Sequence, residues 1–94
     1  MGAGYSGGVI DTELEKDLPT YNHPGRPNSR YNYYKNGFLK KSVWTNANGI
    51  PIKSRHFTNH GSPKAHPIVP HDHDWGWKDG VWTEFREWYE GEDE

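Results

Sequence analysis

The middle of the chain alternates between short runs of aromatic or β-branched residues and residues that favour turns. Asn36-Gly37 separates the first two runs and is the strongest short-range signal for a hairpin. A second turn is predicted at 46–49, and Pro51 indicates an edge or a bulge at the start of the third run, because proline cannot donate to a ladder. The pattern predicts three antiparallel strands joined as a meander: Arg30–Lys35, Phe38–Thr45 and Ile50–Thr58.

The C-terminal quarter has a different periodicity. Asp74–Lys78 favours a short fourth strand, and Asp79-Gly80 then interrupts the pattern. The apolar residues that follow have the i, i+1, i+4, i+7, i+8 spacing of an amphipathic helix, although Trp, Phe and Val also favour strands. The pattern therefore predicts a helix whose apolar stripe consists of Val81, Trp82, Phe85, Trp88 and Tyr89.

The first quarter of the chain lacks a clear pattern. Residues 1–10 are rich in glycine, and 18–29 contain three prolines, which is typical of an extended connection. We expect a flexible N-terminal arm or linker at 1–28, a small β-rich domain at 29–91 and an acidic tail at 92–94. The predicted fold class is α+β: a small antiparallel meander of three to four strands, one C-terminal helix, and a loop rich in histidine and proline at their junction.

Composition limits the core and the environment of the protein. The 94 residues include five Trp and six Tyr but few aliphatic side chains, so the core is expected to be aromatic, with Trp75, Trp77, Trp82 and Trp88 in it. The chain has no cysteine, which excludes disulfides and thiolate zinc sites. No apolar run approaches the roughly 18–20 residues that span a bilayer. We expect no membrane partner and a cytoplasmic or virion-associated location.

Charge is segregated along the chain, although the net charge is only −2. Residues 18–71 contain eight Lys and Arg and no acid, whereas 72–94 contain nine acids. Cations interleaved with aromatic rings are typical of nucleic-acid binding, through phosphate contacts and base stacking. The alternative is a solvated outer face that the acidic tail screens. The candidate binding residues are Arg30, Tyr33, Lys40, Lys41, Trp44, Lys53 and Arg55.

Four of the six histidines lie between Phe57 and Trp77, where Asp72 and Asp74 alternate with two of them. In an extended strand His71 and His73 share one face and the aspartates the other. Two imidazoles on one face, joined by a third from the loop, are suited to a zinc or nickel site. The candidate metal ligands are His60, His66, His71 and His73, with zinc as the possible cofactor.

Two other interpretations of the histidines remain open. One is catalytic: His60 and His66 as general acid and base, with Lys64 stabilising the charge of a phosphorane-like transition state during RNA cleavage. The other is structural, with the imidazoles hydrogen-bonded to carbonyls and stacked on Trp75 and Trp77. No HExxH or CxxC spacing decides between the three.

The stretch from Arg55 to Trp75 resembles a pattern, roughly DHG-x-P-x-x-H-x-x-PH-x-H-x-W, of C-terminal modules in phage minor head (head-morphogenesis) proteins and in some bacterial polymorphic toxins. Residues 31–37 (YNYYKNG) resemble the hairpin that precedes it, and Asn59 replaces the acid of the pattern. The matching residues are Asn59, His60, Gly61, Pro63, His66, Pro70, His71, His73 and Trp75.

The resemblance implies a non-catalytic accessory or interaction module of a larger phage-derived protein. Its partner would be the rest of the parent chain or a phage head component, with nucleic acid as a further possibility. The alternative function is a histidine-based or metal-dependent nuclease or toxin domain.

Overall fold

The computed structural model describes residues 6–13, 18–57 and 70–90, and the protein is all-β over these ranges. Six strands lie side by side in sequence order, and a seventh, β7, pairs with β5 beyond the end of β6. The strands are β1 (Gly8–Glu13), β2 (Ser29–Lys35), β3 (Phe38–Thr45), β4 (Pro51–His56), β5 (His71–Lys78), β6 (Val81–Glu84) and β7 (Tyr89–Glu90).

The central hairpins lie where the sequence predicts them. β2, β3, β4 and β5 pair antiparallel in turn, and the register shifts where Thr45 meets Pro51, which confirms the predicted bulge. Asn36 and Gly37 have φ of 54° and 81°, and Asp79 and Gly80 have 53° and 78°. Two successive positive φ values define a type I′ turn, whose twist matches that of the flanking strands. Asp79-Gly80 is therefore a second hairpin turn, joining β5 to β6.

The predicted C-terminal helix is wrong, and with it the α+β class and the meander of three to four strands. None of the described residues is helical. Val81–Glu84 forms β6, and Tyr89–Glu90 resumes pairing with β5 as β7. An isolated helix of about ten residues is marginal in water. The type I′ turn instead brings Trp82 opposite Trp77, and aromatic cross-strand pairs stabilise a sheet.

Part of the expected N-terminal arm belongs to the sheet. β1 pairs in parallel with β2, with Ile10 opposite Tyr31. The segment after residue 17 then crosses one face of the sheet, where Pro19 is buried and the Gly25 amide donates to the Gly49 carbonyl at 2.9 Å. Residues 8–13 are therefore paired in the sheet and Pro19 is buried, within the range 1–28 where the sequence predicts a flexible arm or linker.

The core lies on the face that this segment covers. Tyr31, Tyr33 and Val43 are buried there, with Ile10 and Leu18 packed against them, so the core is aromatic as predicted. The Tyr31 hydroxyl accepts a hydrogen bond from the Arg26 amide at 2.8 Å. The four tryptophans predicted for the core are not part of it: Trp75, Trp82 and Trp88 are only partly buried, and Trp77 is 55% exposed. Within the described ranges, no helix is long and apolar enough to span a membrane.

Candidate functional site

Three histidines from neighbouring strands form a cluster on the core face of the sheet. His56 of β4 pairs with His71 of β5, and Ser54 pairs with His73. Because alternate residues of a strand share a face, His71 and His73 lie on the same side as His56. The ring centroids are 4.8 Å apart for His56 and His73, 5.2 Å for His71 and His73, and 5.5 Å for His56 and His71. We call His56, His71 and His73 the histidine cluster.

The cluster is hydrogen-bonded to the segment that follows β5. His56 Nε2 lies 2.9 Å from Glu84 Oε2. His73 Nδ1 lies 2.7 Å from the Phe85 carbonyl oxygen, which only accepts, so Nδ1 carries the proton. His71 is buried, and its ring makes a T-shaped contact with Trp88, with the ring centroids 5.2 Å apart. The cluster thus joins β4 and β5 to the end of β6 and to the chain that leads to β7.

Glu84 is the charged partner in this region. Burial raises the pKa of Glu84, but the hydrogen bond and the charge of His56, with smaller contributions from Lys41 and Ser54, outweigh it and lower the pKa to about 2. Glu84 is therefore a carboxylate at any ordinary pH and accepts the hydrogen bond from His56. The arrangement is that of an imidazole oriented by a carboxylate, which suits either a structural network or an acid–base pair.

The two aspartates next to the histidines point to the other face. Arg55 Nε donates to Asp72 Oδ1 at 2.8 Å, and its second nitrogen to Oδ2 at 3.1 Å, in a buried bidentate pair. Lys53 lies 4.0 Å from Asp72, and Tyr89 donates to Asp74 at 2.7 Å. These carboxylates are engaged in stabilising the sheet, on the side opposite to the imidazoles.

The predicted nucleic-acid residues are brought together only in part. Arg30, Lys53 and Arg55 lie 4.7, 4.5 and 5.2 Å from the ring centroid of Trp44, which is only 4% exposed beneath them. Tyr33 is buried in the core. Neither Trp44 nor Tyr33 therefore presents an open ring face on which a nucleic-acid base could stack. Of the remaining pair, Lys40 lies over Phe38, and Lys41 lies opposite His56.

The proposed metal and catalytic sets fall partly outside the described residues. His60, Lys64 and His66 lie in the segment 58–69, of which nothing is described. Within the described ranges, no group of three His, Asp or Glu side chains is arranged to hold a metal ion. A zinc site formed by His71 and His73 with His60 or His66 therefore stays a prediction, as does the catalytic set.

Sequence reasoning missed two members of this region, His56 and Glu84. The distance along the chain from His56 to His71 hides their pairing, which depends on the register of β4 and β5. The helical spacing predicted from the sequence places Glu84 on a helix, away from the apolar stripe. Had the Asp79-Gly80 turn been interpreted as a hairpin, Glu84 would have been placed opposite Trp75, two residues from His73.

Comparison with known proteins gives no relative. No protein-family model matches the chain, and neither the curated proteins nor the solved structures contain a significant match.

Proposed function

We propose that this chain is a non-catalytic interaction module of a larger phage-derived protein, in which the histidine cluster stabilises the fold. The observation that carries the proposal is that the hydrogen bonds of the histidine cluster are directed into the protein rather than towards solvent. His56 and His73 each direct a ring nitrogen to an acceptor at the end of β6 or directly after it, and His71 is buried. A general acid or base has to reach the substrate, and a buried imidazole does not.

The pairing of β7 with β5 is short, so the hydrogen bonds of the histidine cluster have a structural role to fill. β7 pairs with β5 through two residues only, His71 with Glu90 and Asp72 with Tyr89. So short a ladder contributes little, since a backbone hydrogen bond adds about 1 kcal/mol net. The bonds from His56 to Glu84 and from His73 to Phe85 attach the end of β6 and the residue after it to β4 and β5. Holding this segment on the sheet is therefore a sufficient role for the histidine cluster, without catalysis.

The open edge of the sheet supports a protein partner. In the described part of the chain, β1 is an outermost strand, and Val9 on it is exposed. An edge strand offers unpaired amides and carbonyls to which a partner can add a strand of its own. The resemblance implies that this partner is the rest of the parent chain or a phage head component.

An assay of cleavage and stability tests the proposal. The purified protein, incubated with labelled single-stranded RNA and DNA with and without divalent metal, is expected to show no turnover. His56→Ala should lower the free energy of unfolding by about 1.5–3 kcal/mol, because it removes a hydrogen bond to a charged group. The exposed His23 provides the matched control, and His23→Ala should change neither measurement. Turnover that His56→Ala abolishes in a still folded protein would overturn the proposal.

A histidine-based nuclease is the second candidate, and the bond between His56 and Glu84 favours it. A carboxylate that fixes one ring nitrogen leaves the other for proton transfer, and Lys41 lies close enough to lower the pKa of Glu84. The segment with His60, Lys64 and His66 follows Phe57 in the sequence and begins two residues after His56. In this case His66→Ala should reduce RNA cleavage by about a hundredfold or more while the protein stays folded.

A further inference from the structure

A cleft at the far end of β5 from the histidine cluster is lined by aromatic rings. It measures about 320 Å³ and lies between residues 20–22 and the tip of the hairpin formed by β5 and β6. Trp77, six residues beyond His71, is roughly 20 Å further along the strand at about 3.3 Å per residue. The cleft is therefore separate from the cluster and from the β1 edge. Its volume is near the lower end for ligand sites, roughly 300 Å³.

Three rings form the walls of this cleft and brace one another. Tyr21 and Trp77 have centroids 4.8 Å apart, Trp77 and Trp82 5.4 Å, and Tyr21 and Trp82 5.8 Å. The indole N–H of Trp82 donates to the Pro51 carbonyl at 2.8 Å, which fixes that ring. Trp77 is 55% exposed although a large aromatic surface normally becomes buried. The result is a group of three packed rings in which the Trp77 indole faces solvent.

The polar part of the lining is uncharged. It consists of Thr20, Asn22 and the phenol hydroxyl of Tyr21, and no Asp, Glu, Lys, Arg or His is among the lining residues. The Thr20 hydroxyl oxygen accepts from the His23 amide at 2.9 Å and keeps its own proton to donate. The Asn22 amide is exposed and offers donors and an acceptor. A ligand recognised here needs hydroxyl or amide groups rather than a phosphate, a carboxylate or an ammonium.

The ring spacing argues against a cationic ligand in particular. An ammonium held by an aromatic cage sits between ring faces, within about 6 Å of each centroid. Here the rings already contact one another at 4.8–5.8 Å, so no space is left between them. Trp77 is the half-exposed ring of the three, and it adjoins the cleft. A flat ligand that stacks on one face suits this geometry.

We propose that this cleft binds a neutral carbohydrate, with one face of a pyranose ring stacked on Trp77 and its hydroxyls bonded to Asn22 and Thr20. The C–H groups on one face of a pyranose are slightly positive and meet the negative face of the indole. The hydroxyls around the rim of the sugar donate and accept, as the amide and the hydroxyl require. This site goes beyond the interaction role proposed above, since it uses a different surface.

Titration of the whole ¹⁵N-labelled protein with soluble oligosaccharides of glucose, N-acetylglucosamine and galactose tests the proposal. Saturable shifts are expected for the indole N–H of Trp77 and Trp82 with at least one series, with a Kd on the order of 1 mM for a small ligand. Trp77→Ala should abolish the shifts, and Asn22→Ala should weaken binding several-fold. Phe38→Ala is the matched control, because Phe38 is an exposed aromatic residue at another hairpin, and it should leave binding unchanged.

The outcomes separate this proposal from its alternatives. The absence of shifts at about 10 mM of every sugar would overturn it, since weaker binding than this is not specific recognition. Saturation by a proline-rich peptide or by a nucleoside, and by no sugar, would also overturn it and assign the cleft to that class. If Trp77→Ala fails to fold, Asn22→Ala still decides, because an exposed amide contributes little to stability. None of these results bears on nucleic-acid cleavage, so the two proposals can fail separately.

Discussion

The contribution of Glu84 to stability can be measured by replacing its charge while keeping its shape. In Glu84→Gln the amide oxygen can still accept a hydrogen bond from His56, so the variant removes mainly the charge. The pKa of Glu84 falls from 4.5 to about 2, and one pKa unit corresponds to about 1.4 kcal/mol, which gives an upper bound of roughly 3.4 kcal/mol. The side chain is 24% exposed, so solvent screening reduces this to about 1–2 kcal/mol.

The pH dependence has a definite sign. A carboxyl with a lowered pKa in the folded state stabilises the protein above its unfolded pKa, and this stabilisation is lost as the pH falls through the folded pKa. The difference between the native protein and Glu84→Gln should therefore be full above pH 4.5 and disappear by about pH 2. At neutral pH, about 1–2 kcal/mol corresponds to a Tm lower by roughly 4–16 °C in a domain of this size.

Chemical denaturation at several pH values, with thermal melts as a second probe, provides the measurement. Glu87→Gln is the matched control, because Glu87 is an exposed acid three residues further along the same segment. Equal effects of the two substitutions, or a difference that persists unchanged at pH 2, would refute the reasoning. Glu84 would then not be the carboxylate that holds His56.

Two further perturbations test the opposite face and the metal hypothesis. Asp72→Asn should destabilise the protein by about 3–5 kcal/mol, because it leaves the buried guanidinium of Arg55 without its charged partner. Urea denaturation measures this loss of stability. A loss below about 1 kcal/mol would contradict the buried ion pair. If His71 and His73 bind zinc with a third imidazole from 58–69, zinc should raise the Tm, EDTA should reverse the rise, and binding should weaken below about pH 6. A Tm indifferent to zinc and EDTA would leave the cluster without a metal role.

The sequence predicts the centre of this fold well because its signals are local. Asn36-Gly37 and the alternating aromatic residues around it determine a hairpin through backbone geometry alone. The bulge at Pro51 follows in the same way, from the missing amide of proline. Parallel pairing of β1 with β2 has no comparable local signal, because its register depends on contacts across the sheet such as that of Ile10 with Tyr31.

The last segment shows how one misassigned element hides part of a site. Val81, Trp82 and Phe85 satisfy both a helical stripe and a strand, and their spacing alone does not choose. The choice is made by the turn at Asp79-Gly80, which favours pairing with β5. On a helix Glu84 would face solvent, whereas on β6 it faces the histidine cluster. The acid that orients His56 could therefore be found only after the hairpin was recognised.

The competing functions predict different couplings between His56 and Glu84. If the cluster only stabilises the sheet, His56→Ala and Glu84→Gln should each lower the free energy of unfolding. The double variant should lose less than the sum, because both substitutions weaken the same interaction, the first by removing the imidazole and the second by removing the charge of its partner. The rate of RNA cleavage would not differ between the native protein and any of the three variants. If the pair performs acid–base catalysis, the same non-additivity should appear in the rate of RNA cleavage, as it does for residues that act as a unit. The inward direction of both hydrogen bonds, to Glu84 and to the Phe85 carbonyl, makes the coupling in stability alone the expected result.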